Sequence, residues 1–65
     1  MKILVNGDLH DVVVPTLAAV LDELGYRDRA IATALNGEFI PASARSSAVL
    51  SEGDRVEVLA PMQGG

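Results

Sequence analysis

Apolar residues recur along this chain in two rhythms, and the changes of rhythm fall at glycine, proline and asparagine. Ile3-Leu4-Val5 is a short apolar run followed at once by Asn6-Gly7. Asn-Gly is a strong hairpin signal, because a two-residue type I′ turn needs positive φ at both central positions. The pattern predicts a strand, a tight turn and a return strand over Leu9 to Val14, ending in the β-branched run Val12-Val13-Val14. Pro15 has no N–H to give and ends the pairing there.

The period then lengthens. Leu17, Val20, Leu21 and Leu24 stand at i, i+3, i+4 and i+7, which places all four on one face of a helix. Thr16 is positioned as its N-cap, and Gly25 as its C-terminal stop. Asp22 and Glu23 in the last turn oppose the helix dipole, so the helix depends on burial of its leucine face.

Beyond the helix the shorter rhythm returns. Ala30 to Leu35 reads as a strand, Asn36-Gly37 repeats the first turn, and Glu38-Phe39-Ile40 is a short strand closed by Pro41. Ala42 to Ser47 is small and polar, a loop or a turn of helix, and Val49-Leu50 is expected to tuck under the core. After a turn at Ser51-Glu52-Gly53-Asp54, the run Arg55 to Leu59 alternates, with Val56 and Val58 inward and Arg55 and Glu57 outward. Met62-Gln63-Gly64-Gly65, following Pro61, is expected to protrude as a tail. The division is a folded unit over 1–60 and a flexible C-terminal tail over 61–65.

One helix among several strands predicts an α+β fold: a mixed sheet with that helix across one face. This is the β-grasp, or ubiquitin-like, arrangement. Composition agrees with it and adds limits. A chain of 65 residues holds one domain with a small core. With no cysteine, neither a disulfide nor a thiolate metal site reinforces that core.

Charge narrows the partners. The formal net charge is −4, and Lys2, Arg27, Arg29, Arg45 and Arg55 are the basic residues. They form no stripe to neutralise phosphates, so nucleic acid is not an expected partner. An acidic surface suits a basic partner protein. The opening run of three apolar residues is too short for a signal-peptide core or a membrane span, which makes the cytoplasm the expected location.

Side-chain chemistry is sparse. His10 is the only histidine and reads as an exposed residue on the second strand, so no Ser-His, Cys-His or zinc constellation can be assembled. The serines lack a positioned base, and Asp8, Asp11 and Asp54 sit beside turns, where Asp is ordinary. No glycine-rich loop precedes a helix, so a phosphate cradle is missing too. No catalytic residue and no bound cofactor or metal is expected.

The C-terminus differs. Gly64 and Gly65 lack Cβ atoms and can thread a narrow channel, Gln63 leading them in, so that an enzyme reaches the terminal carboxylate with no side chain in the way. That carboxylate is ionised at neutral pH and is a poor electrophile. Adenylation makes it reactive, and a sulfur nucleophile then converts it to a thiocarboxylate. Every such step needs an external enzyme. Outward-facing Leu59, with Phe39 or Ile40, supplies a candidate apolar docking patch, and Met62 is a candidate for tuning partner choice.

Three segments carry a family resemblance: Ile3-Leu4-Val5-Asn6-Gly7, Ala34-Leu35-Asn36-Gly37-Glu38-Phe39-Ile40-Pro41, and Glu52 through Leu59 followed by Gln63-Gly64-Gly65. In these the chain resembles the ThiS family, sulfur carriers of thiamine biosynthesis. The resemblance implies the β-grasp fold and adenylation of Gly65 by an E1-like activating enzyme that uses ATP. It also implies transfer of the thiocarboxylate sulfur to thiazole synthase. Ala42-Ser43-Ala44-Arg45 after Pro41 departs from relatives that place Arg and then an aromatic there, and the stretch around Pro15 is shorter than usual. Two other readings stay open: a carrier for another client, such as molybdopterin synthesis, and a ubiquitin-like interaction module with an inert tail.

Overall fold

A computed structural model describes residues 1–26 and 30–60 of the chain. Five strands form one mixed sheet: β1 (Lys2–Val5), β2 (Asp8–Asp11), β3 (Ala32–Leu35), β4 (Glu38–Ile40) and β5 (Arg55–Leu59). The helix α1 (Leu17–Glu23) follows β2, and a 3-10 helix spans Ala42–Ser47. The sheet order is β2-β1-β5-β3-β4. Two antiparallel hairpins therefore flank β5, which runs parallel to β1 and antiparallel to β3. This is the ubiquitin-like β-grasp that the alternation of patterns predicts.

Both tight turns form as the Asn-Gly pairs require. Asn6 and Asn36 each have φ 51°, and Gly7 and Gly37 each have φ 85°. Thr16 caps α1, its Oγ1 accepting from Ala19 N–H at 3.3 Å. Gly25, at φ 90°, closes the other end. Its N–H donates to Asp22 C=O and that of Tyr26 to Leu21 C=O, the paired bonds of a Schellman stop. Leu17, Val20 and Leu21 are buried and Leu24 packs at the margin of the core, so the leucine stripe faces inward as its spacing demands.

That stripe meets Ile3, Val5, Val56 and Val58 from the sheet, with Val12 and Leu50 closing the sides. Thr33 is the one buried polar residue among those described, at 2% exposure. Its hydroxyl donates to Ile40 C=O at 2.8 Å and accepts from Arg45 Nε at 3.0 Å, while Arg45 Nη2 donates to Ile31 C=O at 2.7 Å. The 3-10 helix is thus tied to β3 by one guanidinium, whose five donors suit a site with several acceptors.

Four expectations need correction. The return strand stops at Asp11 rather than Val14. Met1 and Val12 exchange the last bonds, Val12 N–H to Met1 C=O at 2.8 Å and the Met1 nitrogen to Val12 C=O at 3.0 Å, and β1 offers no later partner. Val12 then turns into the core while Val13 is 91% exposed. Likewise β3 begins at Ala32 rather than Ala30, because its pairing with β5 ends at Ala32 opposite Leu59.

The third correction concerns Val49-Leu50. Only Leu50 is buried; Val49 is 68% exposed. Extended neighbours point to opposite sides. This stretch is held extended by a bridge between Thr16 and Val49, with Leu17 N–H on Ala48 C=O and Leu50 N–H on Pro15 C=O. His10, for its part, is half-buried beside Ile3 rather than exposed. No helix among the described residues is long and apolar enough to cross a membrane.

Candidate functional site: the outer sheet face and the root of the C-terminal arm

With α1 covering one face of the sheet, the other face is open, and strand register fixes which residues share it. Leu4 stands opposite Leu9 on β2 and opposite Arg55 on β5. Glu57 and Leu59 stand opposite Ala34 and Ala32, and Ala34 stands opposite Phe39. Because side chains alternate along a strand, none of these can face the core that Ile3, Val56, Val58 and Thr33 fill.

The result is an open surface with apolar residues on both sides of Arg55 and Glu57. A shallow groove of about 720 Å³ runs over it, floored by Leu4, Ala32 and Ala34 and walled by Phe39 and Leu59, with Arg55 and Glu57 along β5. Phe39 is 65% exposed and Leu59 71% exposed, an unusual amount of apolar area for a sheet whose other face is packed. Two of the docking candidates named from the sequence, Leu59 and Phe39, are therefore brought to one surface. Ile40 is not with them: paired with Thr33, it lies on the inner side and is half-buried against the core.

Leu9 is the residue that sequence reasoning missed. At 64% exposure it extends the same face onto the edge strand β2. The signal was available: in Asp8-Leu9-His10-Asp11 the lone apolar residue alternates with polar ones, in register with Leu4 across an Asn-Gly turn.

Leu59 also ends β5, the central strand, so the open face lies at the root of whatever follows. The remaining site residues named from the sequence, Met62, Gln63, Gly64 and Gly65, lie outside the described residues, as does the tail expected over 61–65. Among the described residues no group of three or more His, Asp or Glu side chains is placed to hold a metal ion.

Fold and open face together define a ubiquitin-like domain with a surface beside its C-terminal strand. Comparison with known proteins makes this specific. The chain matches the ThiS family over residues 3–65 and belongs to that family. It is 38% identical to the sulfur carrier protein ThiS of Thermus thermophilus over 60 aligned positions, covering 92% of this chain and 94% of that one.

It is also 33% identical to a thiazole synthase of Paramagnetospirillum magneticum. That match spans the whole of this chain but only 20% of the relative's length. Among solved structures, the crystal structure of the thiamine biosynthesis protein ThiS from Geobacter metallireducens superposes with a TM-score of 0.82 at 29% identity, over 100% of both chains. The solution structure of a thiamine biosynthesis protein from the same organism gives 0.80, covering 88% of that chain.

Proposed function

We propose that this chain is a sulfur carrier for thiazole formation in thiamine biosynthesis, and that the carboxylate of Gly65 is the group that carries the sulfur. The observation behind this is the family match running to residue 65, so that it takes in Gly64-Gly65 as well as the folded part. In the proposed sequence, an E1-like enzyme docks on the outer face and admits Gln63-Gly64-Gly65 to its nucleotide site. The Gly65 carboxylate attacks the α-phosphate of ATP and expels pyrophosphate. A sulfur nucleophile then displaces AMP and leaves a thiocarboxylate. Thiazole synthase takes that sulfur onto its substrate, and an oxygen from water or from the substrate carbonyl that accepts the sulfur replaces it and restores the carboxylate.

The chain's own contribution is presentation, and it works as a co-substrate in the cytoplasm rather than as an enzyme. Phe39, Leu59 and Leu9 offer apolar area whose burial favours docking. Met62, which precedes Gln63-Gly64-Gly65 in the sequence, is the proposed determinant of partner choice. Thiazole synthase is favoured over molybdopterin synthesis as the client because a thiazole synthase contains a stretch similar to this whole chain.

The deciding measurement is the intact mass of the chain after incubation with ATP, a sulfur source and its host's activating enzyme. Exchange of one terminal oxygen for sulfur is expected, and it disappears when Gly65 is deleted. Gly64→Val blocks the exchange without shifting the unfolding transition, since a β-branched side chain closes the threading path. An unchanged mass, with an enzyme shown to activate another carrier, leaves the ubiquitin-like interaction module as the better reading.

A further inference from the structure

The two hairpins carry asparagine at the same turn position with the same backbone angle, φ 51° at Asn6 and at Asn36. Turn chemistry accounts for Asn being tolerated there. It does not dictate where the two side chains go, and both go to β5. At its N-terminal end, Asn36 Oδ1 accepts from Arg55 N–H at 2.9 Å and Nδ2 donates to Asp54 Oδ1 at 3.0 Å. At its C-terminal end, Asn6 bonds one residue twice: Nδ2 donates to Val58 C=O at 3.1 Å, and Oδ1 accepts from Val58 N–H at 2.8 Å.

The Asn6 pair begins where backbone pairing stops. β1 and β5 are in register only at Leu4 with Arg55 and Val5 with Val56, and Asn6 N–H to Val56 C=O, at 2.9 Å, is the last rung. The chain then turns away into β2 while β5 runs on to Leu59. A primary amide carries a donor and an acceptor side by side, as a strand presents them, so the Asn6 side chain stands in for the next β1 residue. On the opposite flank β3 pairs as far as Ala32 with Leu59. The end of β5 is thereby held from both sides.

We infer that Asn6 is a positioning residue for the C-terminal arm, its amide fixing the end of β5 and so the direction from which the residues after Ala60 set out. This rests on the carrier role of Gly65. Val58 precedes Gly65 by seven residues, a span of at most about 25 Å. The position of that root therefore bounds where Gly65 can be presented. Acyl transfer depends on that presentation, since misplaced reacting atoms cost rate. Asn6 also borders the groove of the outer face but is no part of its apolar patch of Leu9, Phe39 and Leu59.

The test uses the full chain and a matched control. Asn6→Gly removes the amide but keeps a residue at ease with positive φ, and Asn36→Gly does the same at the other end of β5. Thiocarboxylation kinetics with the activating enzyme, thermal unfolding, and hydrogen exchange at the Val58 amide are measured for both. Both variants lose stability to a similar degree. Only Asn6→Gly exchanges faster at Val58 and loses kcat, roughly tenfold, with KM unchanged because the docking face is intact. Asn6→Asp, which sets a carboxylate against the Val58 carbonyl, follows Asn6→Gly.

A kcat for Asn6→Gly equal to wild type overturns the inference, as does an equal loss in Asn36→Gly. A wild-type chain that takes up no sulfur overturns the carrier reading, and with it the inference built upon it. That outcome is told apart from the first two because in them the wild type is active.

Discussion

Five consecutive residues of β5 serve two different surroundings. Val56 and Val58 are 1% and 8% exposed and pack under α1, whereas Leu59, one residue further on, is 71% exposed. Arg55 and Glu57 share the outer side with Leu59. Valine and leucine have similar transfer free energies, so apolar character alone does not decide which is buried. Parity along the strand decides it, and the helix is present on one side only. The inner residues hold the fold together; the outer ones are left exposed.

This contrast can be broken most severely from within. Val56→Asp places an unpaired carboxylate among Ile3, Val20 and Val58, at a cost above about 4 kcal/mol. A domain of this size has little more than that in total. Loss of the cooperative thermal transition is expected by circular dichroism, and a folded Val56→Asp chain would show that the inner face is less tightly closed than described.

A middle-sized effect comes from Thr33→Val, which keeps the shape and removes the hydroxyl linking Ile40 C=O to Arg45 Nε. The expected loss is about 1–3 kcal/mol in denaturant unfolding, because Arg45 and the carbonyl are left short of a partner. No change would mean that Arg45 finds an equivalent acceptor in solvent.

The smallest effect on stability is expected at the outer face. Leu59→Asp should change the unfolding free energy by less than ~0.5 kcal/mol, while raising KM for the activating enzyme. Adenylation kinetics identical to wild type would remove Leu59 from the docking surface. Set beside Val56→Asp, the same chemical change three residues away separates folding from recognition.

The elements were largely legible because each is punctuated locally. Asn6-Gly7, Asn36-Gly37, Thr16 and Gly25 act on backbone within a few residues of themselves, and all four behave in the fold as their chemistry requires. Strand ends were not legible. Val12-Val13-Val14 has strong β character, yet pairing stops where β1 runs out of partners. That is a fact about a neighbour, invisible in the run itself.

The open face was half legible for the same reason. Leu59 and Phe39 follow from alternation, but choosing Phe39 over Ile40 requires the β3–β4 register. The bonds from Asn6 to Val58 join residues 52 apart, and no local pattern announces them.

The order of strands also bears on how the molecule is made. β5 separates the two hairpins in the sheet, and its register with β1 joins Leu4 to Arg55, 51 positions later in a chain of 65. Such long-range pairing slows folding, since the loop must close before any contact rewards it. During synthesis the sheet cannot be completed until residues 55–59 have emerged. A fragment ending at Asp54 should show no cooperative unfolding transition, and one that did would locate the folding nucleus in the hairpins. A ribosome product cut short before β5 therefore has no finished outer face and no C-terminal arm, and under the proposed function it gives the activating enzyme nothing to act on.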